Sequence, residues 1–479
     1  MTKRLLLPLC LLALAGVLGG CAVNPATGRT DFVMMSEKDE LALGKRYSQE
    51  VLKQFPRYPD EKLQAYVQQV GERVARASDR ANLQFQFTVI DTPDINAFAV
   101  PGGYIYIHRG LLAYLNSEAE LAAVLGHEIG HVTARHSVRQ QSQSTAWNVL
   151  GQAIAIGTGV GAAGDLTNVL GTTVVRGYGR DMELEADGLG ARYLARAGYD
   201  PTAMIQVVRV LKNQDDYARE QAVKNGEPVE APGYHGLFDT HPDNDKRLQQ
   251  VLGPARALAT GQQEVGRERF LRQIEGMPFG DSESTGILHG RNFYHGELDF
   301  TLRYPAGWGV LNQPAALVAY TPDKQAYIGM KLVQRDSRLS PMEYLRKGAG
   351  GRLVEEESLQ QSGLEGATAV VPGTPARRIA VIYQQQRAYL FVAAVKGRAS
   401  LESQDGNFLQ VIRSFRPLKP EERQLAKPQR LALVQAKPGQ TLEQLVDKSG
   451  LYTVSTLRLL NDLYPDGQPK AGEWLKVIR

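Results

Sequence analysis

The chain has 479 residues, 43% of them hydrophobic, with 55 Lys and Arg against 51 Asp and Glu for a net charge of +4. That length allows two or three domains with cores of their own, and the near-balanced charge excludes the basic footprint of a nucleic-acid binder. Only Cys10 and Cys21 are present, so no disulfide framework holds the fold.

Lys3 and Arg4 precede an apolar run over 5–18, which has the shape of a signal peptide rather than a membrane span. It ends in Leu18-Gly19-Gly20-Cys21, which resembles a bacterial lipobox. Residues 1–20 are then expected to leave as a lipoprotein signal peptide, with Cys21 lipidated and 21–30 as a tether. Ala22 in place of Asp after the cysteine points, by resemblance to bacterial sorting patterns, to the outer membrane. Further on, residues 97–100 and 104–107 alternate around Pro101-Gly102-Gly103, which predicts a hairpin.

Ser117-Glu118-Ala119-Glu120 reads as a helix start, with a capping box and an acidic first turn. Leu121, Val124, Leu125, Ile129 and Val132 supply the apolar stripe that follows. This helix carries His127-Glu128-Ile129-Gly130-His131. Positions i and i+4 lie about 40° apart on one face, so both imidazoles can reach a single cation. Zinc takes imidazole nitrogens readily, and a neighbouring carboxylate can take a proton from a water on the metal. His136 is rotated about 140° from His131 on a continuous helix and is expected to be solvated. His108 and His235 are expected to be structural. Residues 140–164 lack any charge, but their five glycines make a poor helix. They are expected to form a helical hairpin or lid rather than a membrane span.

A catalytic zinc usually has three protein ligands, so one more is needed. Glu183-Leu184-Glu185-Ala186-Asp187 opens a predicted helix running toward Ala197. Glu183 and Asp187 share a face, and Glu185 lies about 200° from both. Only one of the two glutamates can point at the metal together with Asp187, and spacing does not say which.

The pentad followed about fifty residues later by Glu183-x-x-Ala186-Asp187 resembles the HtpX, CAAX prenyl endopeptidase and BepA-like zinc metallopeptidases. The stretch from Asn96-Ala97-Phe98 to Tyr106 is similar to that family as well, as is Thr240-His241-Pro242 with Arg247 behind it. The resemblance spans residues 31 to about 275. It implies one zinc per chain held by His127, His131 and Glu183, with Glu128 as the catalytic base. Asp187 would hold a ligand histidine from behind, and His241 would be able to occupy the water position and keep the site latent. Asn96, Ala97 and Phe98 belong to the strand against which an extended substrate is expected to pair.

Residues 31–277 are thus read as a zinc metallopeptidase domain, helical again from 243 to about 276. Residues 278–286 read as a linker and 287–416 as an α+β domain. Strands are predicted there at 298–304, 316–320, 327–333, 379–383 and 388–395, with helices near 341–347 and 406–414. The run from Phe300 to Trp308 faintly resembles the start of PsbP-like domains. A second linker, 417–430, contains three prolines. Residues 431–479 resemble a LysM module, strand-helix-helix-strand, with Thr441-x-x-Gln444 capping the first helix. Such modules bind N-acetylglucosamine polymers, although Gln440 and Glu473 depart from the usual Asp and Gln.

The expected fold class is α+β multidomain: a mainly helical HExxH zincin peptidase domain with a small β-hairpin or sheet, an α+β (PsbP-like) domain and a βααβ LysM-like module. The expected function is a zinc-dependent endopeptidase of the bacterial cell envelope, lipid-anchored in the periplasm and cleaving exposed or misassembled envelope proteins. Its expected partners are those protein substrates, the membrane through the N-terminal lipid, and peptidoglycan through 431–479. The alternative is a peptidoglycan-tethered assembly or scaffold lipoprotein with a latent or vestigial protease site.

Overall fold

The computed structural model describes residues 21–26, 28, 30–33, 35–142, 178–225, 244–313, 316–396, 400–446 and 452–479. The chain divides into two compact units, Met1–Met277 with Arg430–Arg479 and Pro278–Gln429. The architecture is multidomain α+β, with helices and several sheets.

In the first unit a short antiparallel pair, β1 (Cys21–Val23) and β2 (Thr30–Phe32), leads into α1 (Glu37–Gln54) and α2 (Glu61–Arg76). Both helices begin at residues that accept otherwise orphaned backbone protons. Ser36 accepts from Asp39 N–H, and Asp60 accepts from those of Lys62 and Leu63. Leu63, Tyr66, Val67, Val70 and Val74 recur on one face of α2 and are buried. Three strands follow, β3 (Gln86–Ile90), β4 (Ala97–Val100) and β5 (Tyr104–His108), in spatial order β3-β5-β4. The predicted hairpin is present: Ala97 pairs with Ile107 and Val100 with Tyr104. Its turn needs glycine, because Gly102 and Gly103 have φ of 81° and 90°. Since β5 takes β3 as its other neighbour, β4 is an edge strand among the described residues.

After α3 (Arg109–Tyr114) comes α4 (Glu118–Thr133), all of whose residues are buried. Ser117 Oγ accepts Glu120 N–H at 3.1 Å, and the Glu120 carboxylate accepts Asn116 N–H at 2.7 Å, one residue before the cap. Glu118 in the first turn accepts from the hydroxyls of Tyr66 and Tyr199, each at 2.7 Å, and pairs with Arg269. Next in the described chain is α5 (Arg180–Arg196), which crosses α4 at small residues. A β-carbon on Gly130 would stand 2.9 Å from the Ala186 carbonyl oxygen, and one on Gly190 would stand 3.1 Å from the His127 nitrogen. Gly126 and Gly130 on one helix, with Ala186 and Gly190 on the other, each pair four apart, bring the two backbones into contact.

The first 277 residues end with α6 (Ala203–Asn225), α7 (Asn244–Leu258) and α8 (Arg267–Ile274), α7 packing on both α5 and α6. The helical run expected from 243 to 276 is therefore broken, and Gly261 and Gly266 take positive φ in the break. No helix among the described residues is long and apolar enough to cross a membrane.

The second unit contains a seven-stranded antiparallel sheet. Ala380 and Ile382 point into a core with Phe408, Val411 and Ile412 of the helix Glu402–Ser414. Their neighbours Ile379, Val381 and Tyr383 point into another with Leu345 of the helix Pro341–Ala349. The strand alternation thus puts one helix on each face of the sheet. All five predicted strands are present, along with others not predicted, among them Val354–Gln361 and Leu364–Val371. Residues 417–430, expected as a linker, are packed instead: Leu418 and Ala426 are buried with Tyr294, and the charges pair, as in Arg416 with Glu422.

The chain then rejoins the first unit. Gly276 N–H donates to Leu431 O at 2.8 Å and Leu431 N–H to Met277 O at 2.9 Å, so the departing and returning segments lie side by side. Strands Gln429–Gln435 and Trp474–Ile478 pair antiparallel, Leu431 opposite Ile478. Where two helices were expected between them, the described residues form a 3-10 helix at Leu442–Gln444 and an α-helix at Val454–Leu460, and residues 447–451 lie outside the described residues. Gln444 Oε1 accepts Thr441 N–H at 3.3 Å, as the capping pattern predicted.

This C-terminal segment grips the junction between α3 and α4. Lys476 is 0% exposed, and its Nζ donates to Ala113 O at 2.7 Å and Leu115 O at 2.6 Å. Burial holds its amine well below the ordinary lysine range, opposed by the charge of Glu120. Arg267 donates to Trp474 O at 3.0 Å, and Arg209 pairs with Asp462.

Two stability outcomes follow from these contacts. Lys476→Met leaves two buried carbonyls without a donor, at a cost of about 1–3 kcal/mol, and is expected to lower the melting temperature of the full chain. Gly130→Ala gains about 1 kcal/mol of helix propensity. It also drives a methyl into backbone that cannot yield, where overpacking typically costs about 1–3 kcal/mol. A net loss of stability is expected, and a thermal melt that rises would contradict the close crossing.

Candidate metal centre

The α4–α5 crossing sets the positions of five side chains. His127 and His131 project from one face of α4, with their Nε2 atoms 2.9 Å apart. From α5, Glu183 brings Oε2 to 3.5 Å from His127 Nε2 and Oε1 to 3.4 Å from His131 Nε2. These three residues form a group whose ligand atoms lie within 4.8 Å of one another, and all three are buried. Zinc bonds of about 2.0–2.1 Å in tetrahedral geometry place ligand atoms roughly 3.3 Å apart. The donor set and its spacing therefore fit one such ion. Glu128, next to His127 on the same helix, is also buried.

Behind the imidazoles the partners differ. Asp187 Oδ1 lies 2.8 Å from His127 Nδ1, and Arg247 of α7 donates to the same carboxylate through Nε at 2.8 Å and Nη2 at 2.7 Å. Arg247 also stands 3.4 Å from Glu183 Oε2. Burial pushes the Asp187 carboxyl up, but Arg247 and His127 outweigh it and hold the group below the usual carboxylate range. The alternative between the two glutamates resolves geometrically: Glu183 faces the imidazoles, whereas Glu185 Oε2 meets His136 Nε2 at 3.1 Å and Arg139 Nη1 at 2.9 Å. Burial raises the Glu185 carboxyl, yet these two partners bring it down to about 2.

His136 is a correction to the sequence reading. It is fully buried, not solvated, and its Nδ1 lies 2.8 Å from His131 Nδ1. The reason is a break in the helix. Arg135 takes φ of 55°, the chain turns there, and helical residues resume at 136, so the rotation expected along one continuous helix does not apply. His108 is structural, as expected: buried, with Nδ1 2.6 Å from Thr92 Oγ1, and desolvation lowers its pKa to about 3.

Asn96 and Ala97 are buried at the start of edge strand β4, and Phe98 stacks on Tyr106 with ring centroids 5.1 Å apart. α4 packs against β4. Cys21 is the first residue of β1. His241, His235, residues 1–20 and most of the expected lid, from 143 onward, lie outside the described residues. Sequence reasoning missed the roles of His136, Glu185 and Tyr178, whose ring stacks on His131 at 4.1 Å. Of these, only the histidine carried a visible signal, in its closeness to the pentad.

Residues 61–255 match the family model described as Peptidase family M48. The chain contains an M48 peptidase domain. That segment runs from α2 into α7 and includes His127, Glu128, His131, Glu183, Asp187 and Arg247. Among similar proteins is the "Beta-barrel assembly-enhancing protease" of Yersinia pestis, 30% identical over 254 residues, 51% of this chain and 49% of that one. Another is the "Mitochondrial metalloendopeptidase OMA1" of Arabidopsis thaliana, 37% identical over 128 residues, 26% of each chain. The chain thus spans about half the length or less of these curated relatives. The solution structure of cyanobacterial PsbP from Synechocystis is similar to 28% of this chain and 96% of that one, with 12% identity and a TM-score of 0.22. M48 metallopeptidases act with a bound metal, and the two imidazoles and carboxylate at the α4–α5 crossing are of the type and spacing that hold one.

The Asp187–Arg247 pair yields a prediction. Arg247→Met leaves a buried carboxylate without its cation, a defect that typically costs about 3–5 kcal/mol. The variant is expected to melt lower than wild type and to bind metal more weakly, read by thermal denaturation and metal analysis.

Proposed function

We propose that this chain is a zinc-dependent endopeptidase of the bacterial cell envelope, with His127, His131 and Glu183 as ligands and Glu128 as catalytic base. The reading rests on the convergence of two imidazole Nε2 atoms and a carboxylate, spaced for one tetrahedral ion, beside a buried glutamate on the same helix. A zinc ion held there supplies the positive charge that polarises a peptide carbonyl and lowers the pKa of a water. Glu128 takes a proton from the attacking water and passes it to the leaving amine. Asp187 accepts the Nδ1 proton of His127, which turns the Nε2 lone pair inward, and Arg247 keeps that carboxylate ionised.

Substrate selection rests on β4. An edge strand beside the α4 helix offers backbone donors and acceptors to an extended peptide. Folded proteins seldom expose such a segment, so misassembled or unfolded envelope proteins are the fitting substrates. Anchoring at Cys21, an outer-membrane and periplasmic location, a shut-off by His241 and attachment of 431–479 to peptidoglycan belong to the same proposal. They are supported by the sequence motifs alone.

The purified chain is expected to carry one zinc and to cleave casein. Glu128→Gln should retain the metal and lose roughly 10²- to 10⁴-fold in rate, the usual contribution of a general base. Metal analysis and casein cleavage decide the matter. A wild type without metal, or a Glu128→Gln variant that cleaves at the wild-type rate, would overturn the reading.

A further inference from the structure

The two histidines at the candidate metal centre are held by different devices. His127 presents Nδ1 directly to a carboxylate, Asp187. His131 does not: its Nδ1 faces Nδ1 of a second, fully buried histidine, His136, at 2.8 Å. The far nitrogen of His136 meets Glu185 Oε2 at 3.1 Å, and Arg139 holds that same oxygen at 2.9 Å. The two imidazole rings are edge-on, 4.9 Å apart at 72°. Tyr178 covers His131, its ring tilted by 19° from that imidazole, and its hydroxyl meets Ser137 Oγ at 2.5 Å. The outer end is fixed as well, since Arg139 also lies 3.3 Å from Asp31 of β2.

A contact between two Nδ1 atoms works only if one carries the proton and the other does not. His131 Nε2 points at Glu183 and His127, so a cation there requires its lone pair, and the His131 proton must sit on Nδ1. His136 Nδ1 must then accept, which leaves its own proton on Nε2, the atom facing Glu185. The carboxylate thus selects the His136 tautomer, and His136 in turn selects that of His131. Both imidazoles remain neutral and no net proton moves.

We propose that His136 is a positioning residue for His131, and that Glu185 acts through it, so that a histidine relay replaces the direct carboxylate found behind His127. This rests on the reading of His127, His131 and Glu183 as metal ligands. The sequence hides the relay because it depends on the reversal at Arg135, which carries His136 back toward the centre.

The test uses the full chain as wild type, His136→Ala, His136→Asn, Glu185→Gln and Glu185→Leu. Zinc affinity is measured by chelator competition, and the visible spectrum is recorded after cobalt substitution. Outer partners of ligand histidines typically contribute about 10- to 100-fold in metal affinity. His136→Ala and Glu185→Leu are expected to lose affinity on that scale, to shift the cobalt bands, and to lower kcat with little change in KM. His136→Asn places an acceptor oxygen near the lost nitrogen, and Glu185→Gln keeps an acceptor for His136. Both should recover most of the affinity. A merely structural role would lower the melting temperature of the metal-free protein in all four variants alike and leave the affinity of the folded fraction intact, which would overturn the inference. If wild type binds metal and His136→Ala binds it equally well, the relay fails and the metal centre stands. If wild type binds neither zinc nor cobalt, both fall together.

Discussion

Everything at the candidate centre depends on how closely two helix backbones can approach. Side chains of ordinary size would hold α4 and α5 at the usual 8–10 Å between axes. Glu183 would then stand too far from the imidazoles to share an ion with them. Gly126, Gly130, Ala186 and Gly190 remove that spacer. Each glycine weakens its helix by about 1 kcal/mol, and the deficit is offset by burial: every residue of α4 is inside the protein, and its first turn is held by Tyr66, Tyr199 and Arg269 on Glu118. The metal-binding geometry is therefore a property of the small residues between the ligands as much as of the ligands themselves.

A second constraint is electrostatic. Asp187, Glu183 and Arg247 are all buried, and desolvating charges is costly unless they meet partners in good geometry. The guanidinium of Arg247 satisfies this for two acids at once, in a bidentate fork on Asp187 and a longer contact with Glu183. On the other side of the centre, Glu185 and Arg139 form a separate, partly solvated pair. The paired acids behind the two imidazoles thus differ in their access to water, the Asp187 side chain being 2% exposed and that of Glu185 22%.

What the sequence disclosed and what it concealed divide along the range of the interactions. Signals confined to one element were legible: the Ser117 cap, the i, i+4 histidines, the Pro-Gly-Gly turn, and apolar alternation in five strands of the second unit. Val354–Gln361 was not legible because it carries three consecutive glutamates and lies at the edge of its sheet, where alternation of burial is weak. Leu364–Val371 was missed for another reason. Gly366 interrupts its pattern, and a β-carbon there would stand 2.8 Å from the Val381 carbonyl oxygen. The choice between Glu183 and Glu185 needed the helix crossing, and His136 needed one left-handed residue. Lys476 reads in its own strand as a polar residue among apolar neighbours, and nothing near it announces acceptors more than three hundred residues away.

That last contact has a consequence for the order in which the molecule is made. The junction leading into α4 takes its donor from a residue 361 to 363 positions further along the sequence. A chain emerging from its N-terminus first has all five side chains of the centre long before it has Lys476. Until the second unit and the strand Trp474–Ile478 have followed, the carbonyls of Ala113 and Leu115 lack that partner. The helix that bears both histidines is thereby tied to synthesis as far as Lys476, and a nascent chain that stops short of that residue carries the ligands without this clasp.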